Sequence, residues 1–213
     1  MIYYILRALF HVLLIRPFMY VWVGFNVKHG GRLPQNGPAI IVSNHNSHLD
    51  TLTLEILFPL RFLRKIRPVA AADYFLRNRI LKWFTVDVMR IIPVERRGKG
   101  GADPLAPCHE ALARGHVLII YPEGSRGEPG KMAEFKRGIS WLATQHPEVP
   151  IYPICLRGLE KILPKGSWLP IPFFCDVAVG EPMFGTGNRE DFLHQLEKRM
   201  HDLAEEIKVE HWI

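Results

Sequence analysis

The sequence predicts a single α/β domain, a largely parallel mixed sheet flanked by helices, with an apolar helical segment at its N-terminus over residues 1–27 and the domain proper over 28–213. Three observations carry that prediction. Short β-branched apolar runs recur along the chain with helical spacing between them, the order expected of a sheet buried on both faces. The first 27 residues, MIYYILRALFHVLLIRPFMYVWVGFNV, are almost wholly apolar and carry charge only at Arg7 and Arg16. The 213 residues are 48% apolar and 23% charged, a composition that suits one folded domain and excludes a disordered chain.

The leader's longest uncharged run, residues 17–27, has 11 residues, short of the ~20 a spanning helix needs. It lacks the basic start and small-residue cleavage site of a secretory signal. Pro17 disfavours helical geometry at Arg16, so two short helices with a break between them are expected. Such a pair would lie in the membrane interface with both arginines reaching head groups; the alternative is a buried helix capping the core.

A turn-rich stretch, His29-Gly30-Gly31-Arg32-Leu33-Pro34, separates the leader from AIIVS at 39–43, a buried strand. Residues 47–58 have helical spacing. Strands are expected at 67–72, 91–94, 117–121 (VLIIY), 149–156 and 173–179, with a helix at 107–114 before VLIIY. Residues 191–208 form a closing amphipathic helix, because Phe192, Leu196, Met200, Leu203 and Ile207 recur at three- or four-residue intervals.

The net charge of +6 is concentrated. Residues 61–97 hold ten Lys or Arg against three acids, a local +7, so the remainder nets −1. Basic residues there interleave with Phe62, Leu63, Phe75, Leu76, Trp83 and Phe84, a mixture that suits an anionic membrane surface and equally suits solvated charges beside core aromatics. The three cysteines, Cys108, Cys155 and Cys175, form no CxxC and read as small core residues of a reducing compartment.

In a parallel sheet, ligands bind beyond the carboxyl ends of strands. AIIVS runs into Asn44-His45-Asn46-Ser47-His48-Leu49-Asp50. A histidine and an aspartate here can form a base and its orienting partner. On one ideal helix residues five apart differ by ~140°, so His45 must sit in the turn and Asp50 in the first helical turn for the two to meet. Helix capping by Asn44, Ser47 and Asp50 explains the same residues equally well, and His45, His48 and Asp50 are a weaker metal-ligand set with no fourth partner nearby. VLIIY runs into Pro122-Glu123-Gly124-Ser125-Arg126-Gly127, a tight turn whose amides and guanidinium suit a phosphate, or else a solvated surface turn. No nucleotide P-loop is present.

Taken together, the two turns resemble the glycerolipid acyltransferase family, which includes lysophosphatidate acyltransferases. The family's first block, Asn-His, four residues, Asp, is met by Asn44, His45 and Asp50. Its Phe-Pro-Glu-Gly-Thr-Arg block appears as Tyr121-Pro122-Glu123-Gly124-Ser125-Arg126, and its Val-Pro-Ile-x-Pro-Val block as Val149-Pro150-Ile151-Tyr152-Pro153-Ile154. The remaining block appears as Ile92-Pro93-Val94-Glu95-Arg96, with Arg90 where the family usually has glycine and Arg97 beside Arg96. The resemblance implies His45 as general base, Asp50 as its orienter, Arg96 and Arg126 as phosphate contacts with Ser125 beside them, and a shaping role for Glu123 and Gly124. It implies an acyl-CoA or acyl-carrier protein donor and a lysophosphatidate or other glycerol-phosphate lipid acceptor, at the cytoplasmic face of a membrane.

A thioester is already activated, so the chemistry needs no covalent nucleophile, metal or cofactor. A nucleic-acid-binding module would use the basic region but leaves both turns without purpose, and no nucleic-acid partner is expected. A non-catalytic lipid-binding protein would not need both His45 and Asp50.

Overall fold

The computed structural model describes residues 2–75, 78–95, 103–127, 131–162 and 171–208. Leu76, Arg77, Arg96 and Arg97 lie outside them. The leader is one continuous rod, Ile2–Trp22, made of α1 (Ile2–Phe10), a π-helical turn (His11–Ile15) and α2 (Arg16–Trp22). The break expected at Pro17 does not occur. A proline ring inside a helix collides with the carbonyl four residues back; here the wider π turn precedes it, and Pro17 stands in the first turn of α2. The rod ends at Val23, whose backbone is extended, and β1 (Val23–Lys28) joins the sheet. The last residues of the apolar leader are therefore an edge strand, which apolar content alone does not distinguish from helix.

The chain continues through β2 (Ala39–Ser43), α3 (Asp50–Ile56), β3 (Ile66–Ala71), the short α4 (Ala72–Phe75) and α5 (Arg79–Lys82), and β4 (Ile92–Val94). It then runs through α6 (Ala106–Ala113), β5 (Val117–Ile120), α7 (Gly138–Gln145), β6 (Ile151–Arg157), α8 (Leu159–Ile162), β7 (Phe173–Val179) and α9 (Arg189–Glu206). Among the described residues the strands form one seven-stranded sheet, β1-β7-β6-β2-β5-β3-β4. Every neighbouring pair is parallel except β6 and β7, so the mixed, largely parallel sheet expected from the sequence is present.

The buried runs behave as strands covered on both sides. Ile41, Ile119 and Ile154 face the layer of the rod and α3, packing with Ile15, Met19 and Leu54. Ile40, Val42, Leu118 and Ile151 face the other layer, against Leu112, Leu142, Phe192 and Met200. The alternation follows from the two-residue period of a strand. Asn188 starts α9 by accepting from the amides of Glu190 and Asp191, and Phe192, Leu196, Met200 and Leu203 form its buried stripe.

The rod is amphipathic in an unusual sense. Arg7, His11, Ile15 and Met19, spaced four apart, are buried against the domain, whereas Ile2, Ile5, Leu9, Val12 and Leu13 are exposed. Arg7 Nη2 donates to Glu55 Oε1 at 2.9 Å, and its Nη1 donates to the carbonyls of Leu63 and Ile66 at 3.0 and 3.1 Å. His11 Nε2 meets Glu55 Oε2 at 2.7 Å. Arg16 Nη2 donates to the Phe58 carbonyl at 2.7 Å. Neither arginine reaches outward as a head-group ligand; the buried Glu55 carboxylate and backbone carbonyls beyond α3 hold them inward. The basic stretch divides as well, since Phe62 and Leu63 are core residues while Ile80 and Trp83 are exposed.

Candidate active site

The first turn joins β2 to α3. Asn44 is buried at the end of β2 and extends its pairing with β6: its Nδ2 donates to the Leu156 carbonyl, and its Oδ1 accepts from the Leu156 amide, both at 2.8 Å. The next residue leaves the sheet. His45 Nδ1 lies 2.8 Å from Asp50 Oδ2, and the same oxygen accepts the amides of Asn46 and Ser47 at 2.8 Å. The five-residue spacing works because His45 stands in the turn and Asp50 opens the helix. One carboxylate thus organises the turn and fixes the imidazole, so capping and orientation are a single arrangement. With Nδ1–H donated to Asp50, the basic lone pair is on Nε2. The His45 side chain is 22% exposed and that of Asp50 2%.

The imidazole is held from below as well. The Tyr121 ring stacks on it at 4.1 Å between centroids and 19° between planes, and Tyr121 is itself tied through its hydroxyl to Thr51 Oγ1 at 2.9 Å. Burial, reinforced by the nearby Asp50 carboxylate, pushes the Tyr121 phenol well above its ordinary range, so it is neutral at physiological pH.

The second turn follows β5 and is stitched to the first. Glu123 is 3% exposed; its Oε1 accepts the His45 amide at 2.9 Å and its Oε2 the Ala133 amide at 3.1 Å. Burial raises the Glu123 carboxyl above its usual range, and these two backbone donors pull the other way. The Gly127 amide donates to the His45 carbonyl at 3.0 Å. Gly124 has φ of +69°, so the turn favours glycine; a Cβ there would come within 2.7 Å of Lys136 Nζ, which the flexible lysine would have to vacate. Ser125 and Arg126 stand on the exposed rim.

Arg126 Nη1 is hydrogen-bonded to His48 Nε2 across the two turns. Burial and the adjacent Arg126 guanidinium hold His48 below the ordinary imidazole range, so the neutral ring accepts this bond. Of the expected site residues, His45, Asp50, Glu123, Gly124, Ser125 and Arg126 come together on these two turns; Arg96 lies outside the described residues. Reading the sequence missed Tyr121 as the floor of the imidazole and His48 as the partner of Arg126. No spacing rule links these positions, which meet only because β2 and β5 are adjacent. Among the described residues no three His, Cys, Asp or Glu side chains converge as a metal site would require.

The chain matches the acyltransferase family over residues 24–157. It is 31% identical over 151 residues to the chloroplastic 1-acyl-sn-glycerol-3-phosphate acyltransferase LPAT1 of Arabidopsis thaliana, covering 70% of this chain and 40% of that protein. It is 25% identical over 190 residues to the 1-acyl-sn-glycerol-3-phosphate acyltransferase of Pseudomonas aeruginosa, covering 88% and 70%. It thus spans less than half the length of the plant relative. The crystal structure of the 1-acyl-sn-glycerophosphate acyltransferase PlsC from Thermotoga maritima shares the fold, with a TM-score of 0.74 at 22% identity over 99% of this chain and 81% of that one. The family match takes in both turns and more than half of the sequence, and on that ground the chain belongs to the acyltransferase family.

Proposed function

We propose that the protein transfers a fatty acyl group from an acyl thioester, acyl-CoA or acyl-carrier protein, to the hydroxyl of a lysophosphatidate or related glycerol-phosphate lipid. The observation that carries this reading is the 2.8 Å His45–Asp50 contact, which leaves Nε2 as the basic nitrogen of a partly exposed ring. Nε2 takes the acceptor hydroxyl's proton as that oxygen bonds to the thioester carbonyl carbon. When the tetrahedral intermediate collapses the C–S bond breaks, and the imidazolium returns the proton to the leaving thiolate. Asp50 keeps the imidazole in the required tautomer and stabilises its cation.

Arg126 on the rim binds the acceptor phosphate and so places the hydroxyl, with Arg96 in the same role and Ser125 beside it. In the free protein His48 holds the Arg126 guanidinium in place. Glu123 and Gly124 act indirectly, by fixing the turn that carries Arg126 and the backbone of His45.

The exposed apolar face of the rod fits an in-plane position at the cytoplasmic face of a membrane, where the acceptor resides. Leu13→Glu and Val21→Glu, at positions 66% and 74% exposed, should weaken liposome binding without unfolding the protein. For the chemistry, thiol release is measured with acyl-CoA and acyl-carrier protein against lysophosphatidate, glycerol 3-phosphate and a phosphate-free monoacylglycerol. Preference for the phosphate-bearing acceptors supports the reading, and turnover indifferent to phosphate refutes the role of the arginines.

A further inference from the structure

A recess of about 170 Å³ opens at the far end of the sheet from His45, lined by Arg7, Arg64, Arg67 and Arg90 together with Tyr3 and Tyr4. Arg67 is the second residue of β3, Arg90 stands two residues before β4, and His116 immediately precedes β5. These are amino ends of parallel strands, whereas His45 and Glu123 follow carboxyl ends. The recess is therefore separate from the site above and does not depend on how that site is read.

Four guanidinia meet here, and among the described residues no carboxylate lines the recess. Glu55 lies behind Arg7 and is already shared with His11. Arg67 is only 9% exposed, yet its partners are all neutral: the carbonyls of Arg64 and Ile66 at 2.9 and 2.8 Å, and His116 Nε2 at 2.8 Å. Burial, with Arg90 and Arg7 adding like charge, brings the Arg67 guanidinium down to about 10. Arg7 Nε is buried with no hydrogen-bond partner. The Arg64 guanidinium lies 4.2 Å over the Tyr4 ring.

Arg90 is the most telling. Its backbone has φ of +63°, a left-handed conformation that glycine adopts freely and a long side chain does not. Among the described residues its guanidinium has no hydrogen-bond or ion-pair partner. Arg90 is exposed and solvated, but its left-handed backbone adds a fourth guanidinium to a lining already rich in cations, a crowding that a bound anion relieves. The volume is nearly six times the ~30 Å³ share of a liquid water, room for a tetrahedral oxyanion.

We propose that this recess binds a phosphate group between the guanidinia of Arg64, Arg67 and Arg90, beneath the start of the N-terminal rod. Planar guanidinia bind phosphate oxygens in pairs; Arg67 is buried and would do so with little competition from water, while Arg64 and Arg90 are exposed. Tyr3 lines the recess, and the exposed Ile2 and Ile5 are its near neighbours along the rod, so a phospholipid head group could enter with its chains along the rod's apolar face. A soluble phosphate ester offers the same chemistry.

The test uses the full chain carrying Arg126→Ala, which removes the proposed acceptor arginine. Inorganic phosphate, at ionic strength matched with chloride, should raise the melting temperature of this protein. Adding Arg90→Gly should weaken that phosphate binding roughly tenfold or more, since a charged hydrogen bond is lost. Glycine suits the +63° φ, so this variant should fold at least as well; Arg64→Gln is the second, independent variant. Arg90-dependent retention on phosphatidylcholine vesicles containing phosphatidylglycerol, beyond phosphatidylcholine alone, would assign the site to a lipid head group. Arg90-dependent phosphate protection without that difference would assign it to a soluble phosphate ester. A phosphate response that Arg90→Gly and Arg64→Gln leave unchanged, or no response in the parent protein, overturns the site.

Discussion

Helix α3 carries a carboxylate near each end, and each meets a histidine. Asp50 lies 2.8 Å from His45, and Glu55 lies 2.7 Å from His11. By distance the pairs are equivalent. Their surroundings are opposite. His45 is 22% exposed, whereas His11 and Glu55 are both sealed from solvent, with Arg7 completing a buried triad. His11 Nδ1 is itself buried without a partner. A histidine–carboxylate contact therefore does not define a base. The Asp50 pair has a ring nitrogen that a substrate can approach, and the Glu55 pair fastens the N-terminal rod to the helix that positions the site.

Substituting the two carboxylates should separate these roles. Asp50→Asn removes the acceptor that fixes the His45 tautomer, and turnover should fall roughly 10²- to 10⁴-fold while the melting curve stays close to that of the parent. Glu55→Gln should do the reverse. It leaves Arg7 as a buried charge without its counter-ion, so urea unfolding should show a loss of about 3–5 kcal/mol, with near-normal turnover in the protein that remains folded. If Glu55→Gln leaves stability intact, the triad is not what holds the rod. Deleting residues 2–22 should likewise unfold the protein, because it uncovers the core that Ile15 and Met19 seal and strips Glu55 of Arg7 and His11.

Next in size is the rim. Arg126→Ala should lower efficiency on phosphate-bearing acceptors about ten- to a hundredfold, through loss of a charged hydrogen bond worth roughly 1.5–3 kcal/mol, and leave donor saturation little changed. His48→Ala should have a smaller effect in the same direction, since it frees the guanidinium without removing it. Equal losses on a phosphate-free acceptor would contradict both assignments.

The smallest effect concerns a histidine with no carboxylate. Burial and Arg67 hold His116 down to about 4 from an ordinary 6.5. The unfolded chain then binds the extra proton between those values, so stability should fall as pH drops from 6.5 toward 4, and no contribution should remain to be lost above 6.5. Urea midpoints measured against pH should flatten over this window in His116→Gln.

Much of this was legible in the sequence, for identifiable reasons. The strands at AIIVS and VLIIY are short, β-branched and apolar throughout, a pattern that only a doubly covered strand satisfies well, and the candidate site residues follow their carboxyl ends. His45 and Asp50 share a seven-residue stretch, so local turn geometry sufficed to bring them together. The rod was harder. Its period is helical, but hydrophobicity does not reveal that Arg7 and His11 face inward, because their partner Glu55 is 48 and 44 residues away. Pro17 signals a break in isolation, and only the π turn beside it explains why the rod continues. Val23–Lys28 reads like the helix before it, and pairing with β7, some 150 residues later, makes it a strand. The Arg126–His48 and His45–Tyr121 contacts depend on the adjacency of β2 and β5, which no local signal encodes.

The central claim is that the exposed member of the two histidine pairs is the base. The most direct measurement is single-turnover thiol release from an acyl thioester with lysophosphatidate, for His45→Ala and the parent, each verified as folded by its melting curve. Loss of roughly 10²- to 10⁴-fold in rate with an unchanged melting temperature is the predicted result. Turnover within a few-fold of the parent in folded His45→Ala protein would contradict it.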